Sequence, residues 1–362
     1  MNKDIITLHD HERAAQAALD EAAWAYFSGG AADEITLRRN TRAWQTWGLS
    51  PRVLQDLRGG HTRCTLLGRE VPMPLLVAPM AYQRWAHHHG EVGMGMAAAA
   101  QGCGMIVSHQ TSTPLQDVAA SFLQDQDHGP LWFQMYWQAD RTRTQALLSD
   151  VEDALYQAIT LTVDAPVHGV RDRERRHGMP LPEGLHAMHW PAQPPATGSG
   201  LCTGLADAAP RWDDVQWLIQ QTRLPVLLKG ITHAKDAERA LQVGAAGVIV
   251  SNHGGRVLDT VPATAELLPS VADAVRRQKP DALVLVDGGI RRGTDLFKAL
   301  ALGADAALVG RPAVYGLAHA GARGAAHVLR LLRDEFEATL ALTGCATVQD
   351  IDIGKLWPLK PF

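Results

Sequence analysis

The stretch SNHGGRVLD, Ser251 to Asp259, follows directly on the apolar run GVIV and sets a histidine, two glycines and an arginine side by side. His253 there has the character of a general base, the glycines let backbone come close to a flat ligand, and Arg256 can grip a carboxylate through two parallel hydrogen bonds. Asp164, closing the run AITLTVD, can hold the imidazole and stabilise its protonated form. Arg171, seven residues further on, is a candidate second clamp on the same carboxylate. Lys229 ends another apolar run and would set positive charge where negative charge develops in a reaction. Ser108, Gln134, Thr162 and Ser251 are neutral donors and acceptors, which with Lys229 suit the edge of a flat heterocycle better than a metal or a sugar polyol. The strings DGGIRRG and VGRP contribute Asp287, Gly288, Gly289, Arg291, Gly310 and Arg311, glycines and arginines of the kind that cradle a phosphate with backbone N–H groups. A phosphate tail joined to a polar-edged ring points to flavin mononucleotide (FMN).

These residues share a position. Each lies at or just beyond the end of a short apolar run: LLVAPM, MIVSH, LWFQMYW, AITLTVD, PVLLKG, GVIVSN, LVLVDGG and AALVGRP, eight in all. Met80 and Ala81, Gln110, and Tyr136 close such runs in the same way. Runs apolar throughout, rather than alternating, fit parallel strands covered on both faces, and Ala-rich stretches of helical spacing separate most of them. The expectation is an α/β fold, a (β/α)₈ barrel of the triosephosphate isomerase type, whose active sites gather at the carboxyl ends of the strands. Residues 1–60 read as a mostly helical prologue, with YFSGGAADE as a helix stop, and 61–362 as the barrel, all in one domain. About sixty residues separate the fourth and fifth runs, so an insert over about 171–210, rich in Pro, Gly and charge, reads as a lid over the barrel mouth.

Composition narrows the partners. A formal net charge of −4 gives no basic excess to recruit nucleic acid or anionic lipid, and no apolar run is long enough to span a bilayer. Cys64, Cys103, Cys202 and Cys345 lie far apart without metal-ligand spacing, so they are expected as thiols in a cytoplasmic protein. A small molecule is the expected partner, with no nucleic acid and no membrane. His87 to His89 read as loop or helix-start surface, since consecutive side chains on one element diverge, and no metal is expected. The tryptophans, Trp44 and Trp132 among them, read as core or subunit contacts, and RDRERR as a solvated segment whose first arginine turns inward.

The strings SNHGGRVLD, LPVLLKG, TVDAP, VDGGIRRGTDLFKALALGA and VGRP closely resemble the FMN-dependent α-hydroxy acid oxidase and dehydrogenase family, in the family's order and over nearly the whole chain. APMAYQRWAHHHGE looks most like the bacterial hydroxymandelate oxidases of that family. The resemblance implies oxidation of an (S)-2-hydroxy acid to the 2-oxo acid, aryl-substituted acids such as mandelate included, with the flavin reoxidised by oxygen or another acceptor. It also implies a homo-oligomer, often a tetramer. Residue by residue it implies His253 as catalytic base, Asp164 as its partner, Tyr136 at the substrate hydroxyl, and Arg171 with Arg256 on the substrate carboxylate. The flavin would lie on Ala78, Pro79 and Met80, beside Ala81, and against Ser108, Gln134, Thr162, Lys229 and Ser251. Asp287, Gly288, Gly289, Arg291, Gly310 and Arg311 would surround its ribityl and phosphate parts. Two departures stand out: Trp24 is expected where many members carry a carboxylate-binding tyrosine, and Gln110 where an aromatic residue often covers the substrate. They imply a wider, more polar side-chain pocket. Two other classes remain open from the residues: a non-redox isomerase or a lyase using Lys229 as a Schiff base, and a flavin-binding scaffold without turnover.

Overall fold

The computed structural model describes residues 4–178, 181–189 and 209–359. Eight strands close into a parallel barrel: β1 (Leu75–Val77), β2 (Gly104–Ser108), β3 (Leu131–Tyr136), β4 (Ile159–Thr162), β5 (Val226–Ile231), β6 (Gly247–Val250), β7 (Leu283–Val286) and β8 (Ala306–Val309). Each pairs with the next, and β8 pairs back to β1 through Val309 and Val77. Every one of the eight apolar runs holds one strand.

The pleat explains why the runs are apolar throughout. Alternate residues point to opposite sides, so Leu76, Ile106, Trp132, Leu227, Ile249, Leu285 and Leu308 fill the barrel interior. Their neighbours Leu75, Val77, Met105, Val107, Leu228 and Val248 face the surrounding helices. Both sides are dry, and burying one such side chain stabilises by about 1.5–3 kcal/mol. An antiparallel hairpin, Cys64–Leu66 with Arg69–Val71, adds Cys64, Leu66 and Val71 to the interior cluster, an element that the sequence did not announce.

Three prologue helices come first: α1 (Leu8–Ala18), α2 (Glu21–Ser28) and α3 (Ile35–Ala43). Asp20 caps α2 by accepting from the Ala23 N–H. The start of α3 lacks a cap of its own, and Asp259 supplies one, accepting from the N–H groups of Ile35 (3.2 Å) and Thr36 (2.8 Å). Asn40 and Asn252 exchange two amide hydrogen bonds of 2.8 Å. The segment after β6 is thereby fastened to the prologue. The prologue is not wholly helical: Trp47–Leu49 pairs with Leu356–Pro358 near the carboxyl end.

Around the barrel follow α4 (Gln83–Ala86), α5 (Gly90–Ala100), α6 (Leu115–Leu123), α7 (Arg141–Asp153), α8 (Asp172–His177), α9 (Trp212–Gln220), α10 (Ala234–Gln242), α11 (Thr264–Gln278), α12 (Gly293–Ala301) and α13 (Arg311–Thr343). The last is broken at Ala320 and Gly321, whose dihedrals are not helical. Of the expected lid, α8 and residues 181–189 are described, while 190–208, with Cys202, lie outside the described residues. Among the described residues no helix is long and apolar enough to cross a membrane, and Cys64, Cys103 and Cys345 are buried free thiols.

Candidate active site

The carboxyl ends of the strands open into a cavity of about 1280 Å³. Ala78, Pro79, Met80 and Ala81 beyond β1, Ser108 and Gln110 beyond β2, and Gln134, Tyr136 and Thr162 on β3 and β4 line it. Lys229, His253, Arg256, Arg171, Asp287, Gly288, Gly289, Arg291, Gly310 and Arg311 line it too. The strand-end expectation thus brings residues separated by more than two hundred positions to one space.

Just past β6 the chain adopts a left-handed backbone at three successive residues, His253 (φ 57°), Gly254 (φ 62°) and Gly255 (φ 73°). A left-handed residue bearing a side chain costs about 1–2 kcal/mol, and here that conformation turns the imidazole into the cavity. Protein neighbours also require both glycines, and Gly254 lines the cavity. A Cβ on Gly254 would meet Arg311 Nη1 at 2.8 Å, and one on Gly255 would meet the Leu37 backbone nitrogen at 2.7 Å.

His253 Nδ1 donates to Asp164 Oδ1 at 2.9 Å, leaving Nε2 as the acceptor, and Tyr136 Oη lies 3.4 Å from that nitrogen. The two rings lie nearly parallel, 11° apart. Burial pushes the His253 imidazole below its ordinary value, more than the Asp164 carboxylate lifts it. Burial would raise Asp164, but the neighbouring His253 and Lys229 hold its carboxyl below the usual range. The site therefore keeps a neutral imidazole next to a carboxylate, the pairing a proton acceptor needs. Tyr136 is pushed up to about 12 by burial and Asp164, so it remains a hydroxyl donor.

Lys229, 4% exposed, donates to Ser251 Oγ at 3.0 Å and pairs with Asp287 Oδ2 at 3.2 Å. Burial alone would lower its pKa, yet the carboxylates of Asp287 and Asp164 more than offset that and raise it, fixing the ammonium form. Ser251 corrects one expectation: it is fully buried behind Lys229, donating to Asp287 Oδ2 (2.9 Å) and accepting from His253 N–H (3.0 Å), and it does not line the cavity. Asp164 likewise supports His253 from behind the wall.

Across the cavity, Arg256 donates to the carbonyls of Tyr26 (2.6 Å) and Gly29 (2.9 Å), with its guanidinium 5.1 Å over the Tyr26 ring. One carboxylate, Glu174, joins both arginines: Oε1 accepts from Arg256 at 2.7 Å and Oε2 from Arg171 at 3.1 Å. Burial, then the charge of Arg171, lowers the pKa of Arg256. Trp24 is the second correction. It packs against Tyr315, ring centroids 5.4 Å apart, away from the cavity, and it is Tyr26, two residues later on α2, that reaches the cavity beside the arginines. The difference is one of helical phase, because residues two apart on a helix point to nearly opposite sides.

The FMN-dependent dehydrogenase family model matches residues 15–358. The chain belongs to that family. It is 47% identical to an L-lactate oxidase of Roseobacter sp. (strain GAI101), over 96% of this chain and 93% of that protein. It is 41% identical to glycolate oxidase 1 of Zea mays, over 96% and 94%. A crystal structure of mandelate oxidase with (S)-2-phenylpropionate matches with a TM-score of 0.87 at 38% identity, covering 97% of this chain and 98% of that one. As a member of the FMN-dependent dehydrogenase family the chain is an oxidoreductase of 2-hydroxy acids that uses FMN.

The residues present fit that cofactor. At the β8 end, burial and the charge of Arg256 pull Arg311 down to about 10, and its Nε is buried without a partner among the described residues. A cation so placed calls for an anion, as a phosphate would be. Asp287 Oδ1 is a buried acceptor without a partner among the described residues, which suits a chain hydroxyl. Ser108, Gln134 and Thr162 form a relay, Ser108 Oγ donating to Gln134 Oε1 (3.2 Å) and Gln134 Nε2 to Thr162 Oγ1 (3.0 Å), along the wall expected to meet the ring edge.

Sequence reasoning passed over Tyr26 and Glu174 in this family site. Glu174 stood inside RDRERR, read there as solvated, but it is 7% exposed, and Arg173 beside it pairs with Glu34 at 2.7 Å. The available signal was the i,i+3 spacing of Arg171 and Glu174, which sets the residue that precedes α8 beside one in its first turn.

Proposed function

We propose that this enzyme oxidises an (S)-2-hydroxy acid with an apolar side chain of up to aryl size, and that oxygen is the final electron acceptor. One observation carries the reading: the Asp164-supported His253 Nε2 and the Arg171–Arg256 pair line one cavity. Arg171 and Arg256 hold the substrate carboxylate, and Tyr136 Oη and His253 Nε2 hold its hydroxyl. His253 takes a proton from the substrate as two electrons leave it, and Asp164 stabilises the resulting imidazolium. Lys229, held as the ammonium by Asp287, sets positive charge at the ring edge. Bound FMN supplies the two-electron acceptor. The substrate would leave as the 2-oxo acid, and its two electrons would pass through that acceptor to oxygen as hydrogen peroxide; relatives named as oxidases support oxygen as the final acceptor.

Aryl acceptance is supported by the apolar part of the wall, Trp137, Val163, Leu181 and Ala187, and by the likeness to mandelate oxidase. A short alkyl substrate is the second reading, favoured by the relative named L-lactate oxidase at 47% identity. The raised pKa and carboxylate pairing of Lys229 argue against a Schiff-base lyase, which needs a free amine. Relative kcat/KM for (S)-mandelate and L-lactate, measured by peroxide release, tests the reading: preference for mandelate supports it, and exclusive use of lactate overturns the aryl part. A cytoplasmic homo-oligomer completes the proposal, supported by three buried thiols and by exposed apolar side chains such as Leu342 and Trp357.

A further inference from the structure

We propose that His87, His88 and His89 form a binding site for a divalent transition-metal ion of the zinc, nickel or copper class, separate from the catalytic cavity. Sequence spacing predicts that these side chains diverge, and the backbone overturns that expectation. His87 is extended (φ −161°, ψ 145°) at the end of α4, the chain then turns with Gly90 N–H donating to the His87 carbonyl at 2.8 Å, and His89 is already helical (φ −69°, ψ −24°). The turn folds the three rings together, with centroids 4.2 Å apart for His87 and His88, 4.2 Å for His88 and His89, and 4.7 Å for His87 and His89. One ring nitrogen from each lies within 4.8 Å of the others.

The ligand atoms can be assigned. His87 Nδ1 accepts from the His89 backbone N–H at 3.2 Å; ligation through Nε2 takes the tautomer with its proton on Nδ1 and gives up that hydrogen bond to the ion. Gly321, at the break in α13, makes the room: a Cβ there would lie 3.2 Å from His87 Nε2 and 3.1 Å from His89 Nδ1. With φ at 60°, Gly321 also occupies a conformation that suits glycine. Three imidazoles on one tetrahedral ion at about 2.0–2.1 Å have nitrogens about 3.4 Å apart. Closing to that spacing takes ring rotations of about 1 Å, which the exposed His88 and His89 can make. Water would complete the shell. Imidazole nitrogen selects zinc, nickel and copper, whereas magnesium and calcium take oxygen ligands.

The test uses the untagged, full-length, flavin-loaded enzyme, stripped with chelator and titrated calorimetrically with zinc chloride and nickel chloride. One ion should bind per chain, and at a hundredfold excess over Kd the thermal midpoint should rise by about 3 °C. Magnesium chloride should do neither. Joint replacement His88→Ala and His89→Ala should weaken zinc binding at least tenfold while flavin absorbance and turnover stay native, both side chains being exposed and remote from the cavity. Native zinc affinity in that double variant, or no binding by the unmodified enzyme at millimolar zinc, would overturn the proposal.

Discussion

The two walls of the cavity are built differently. One is made of strand ends: Lys229, His253, Asp287 and the Ser108–Gln134–Thr162 relay, backed by Ser251 and Asp164, each placed by the register of a parallel barrel. The other is assembled from distant pieces: Tyr26 and Gly29 from the prologue, Arg171 and Glu174 from the insert, and Arg256 from the β6 loop. The strand wall holds the groups that move protons and bear charge, and it is rigid because every member hangs from a strand buried on both faces. The assembled wall positions substrate, and its geometry depends on interactions between segments that are far apart in the chain. Damage to the first should stop the chemistry, and damage to the second should mainly misplace the substrate.

The largest effect belongs to the strand wall. His253→Ala should lower kcat by about 10² to 10⁴, the usual worth of a general base, while the flavin spectrum stays intact; equal kcat would mean that the base lies elsewhere. On the assembled wall, Arg171→Ala or Arg256→Ala should cost about 2–5 kcal/mol in kcat/KM, read by steady-state kinetics, with KM raised in both. Glu174→Gln leaves both guanidinium groups in place but removes the carboxylate that sets them, and should lower kcat/KM by about tenfold through misorientation. Tyr26→Phe should raise KM by about tenfold, the worth of one hydrogen bond to a charged group, whereas Trp24→Phe should leave KM within twofold. The reverse result would return the carboxylate-side role to Trp24. The smallest effect is on pH dependence. Because burial lowers the His253 pKa, the neutral base persists on acidification past the ordinary value of 6.5 and is lost only below it. The acid limb of kcat/KM should therefore lie below pH 6.5, and Asp164→Asn, which removes the charge that raises this pKa, should move the limb lower still.

The same contrast governs what could be read without coordinates. Strand ends are legible because a run buried on both faces announces itself, as GVIV does before SNHGG, and the barrel brings all such ends to one side. Hence His253, Lys229, Asp287 and Arg311 could be grouped from sequence alone. Ser251 was grouped too widely, since nothing in a linear pattern tells a cavity-facing hydroxyl from one that braces its neighbours. Tyr26 was missed by two positions, a half-turn of helix that spacing alone does not fix. Glu174 was hidden because RDRERR has the composition of a solvated face, and its burial arises only when α8 meets α2 and the β6 loop. Asp259 fell outside every reading of the site, and its part is to cap α3 across more than two hundred residues.

Rapid anaerobic mixing of the yellow enzyme with the two enantiomers of one 2-hydroxy acid tests the central claim most directly. If one imidazole and two guanidinium groups hold the substrate against one side of the flavin, the (S) acid bleaches the visible flavin band and the (R) acid leaves it unchanged. Equal bleaching by both enantiomers, or none by any 2-hydroxy acid, would contradict it.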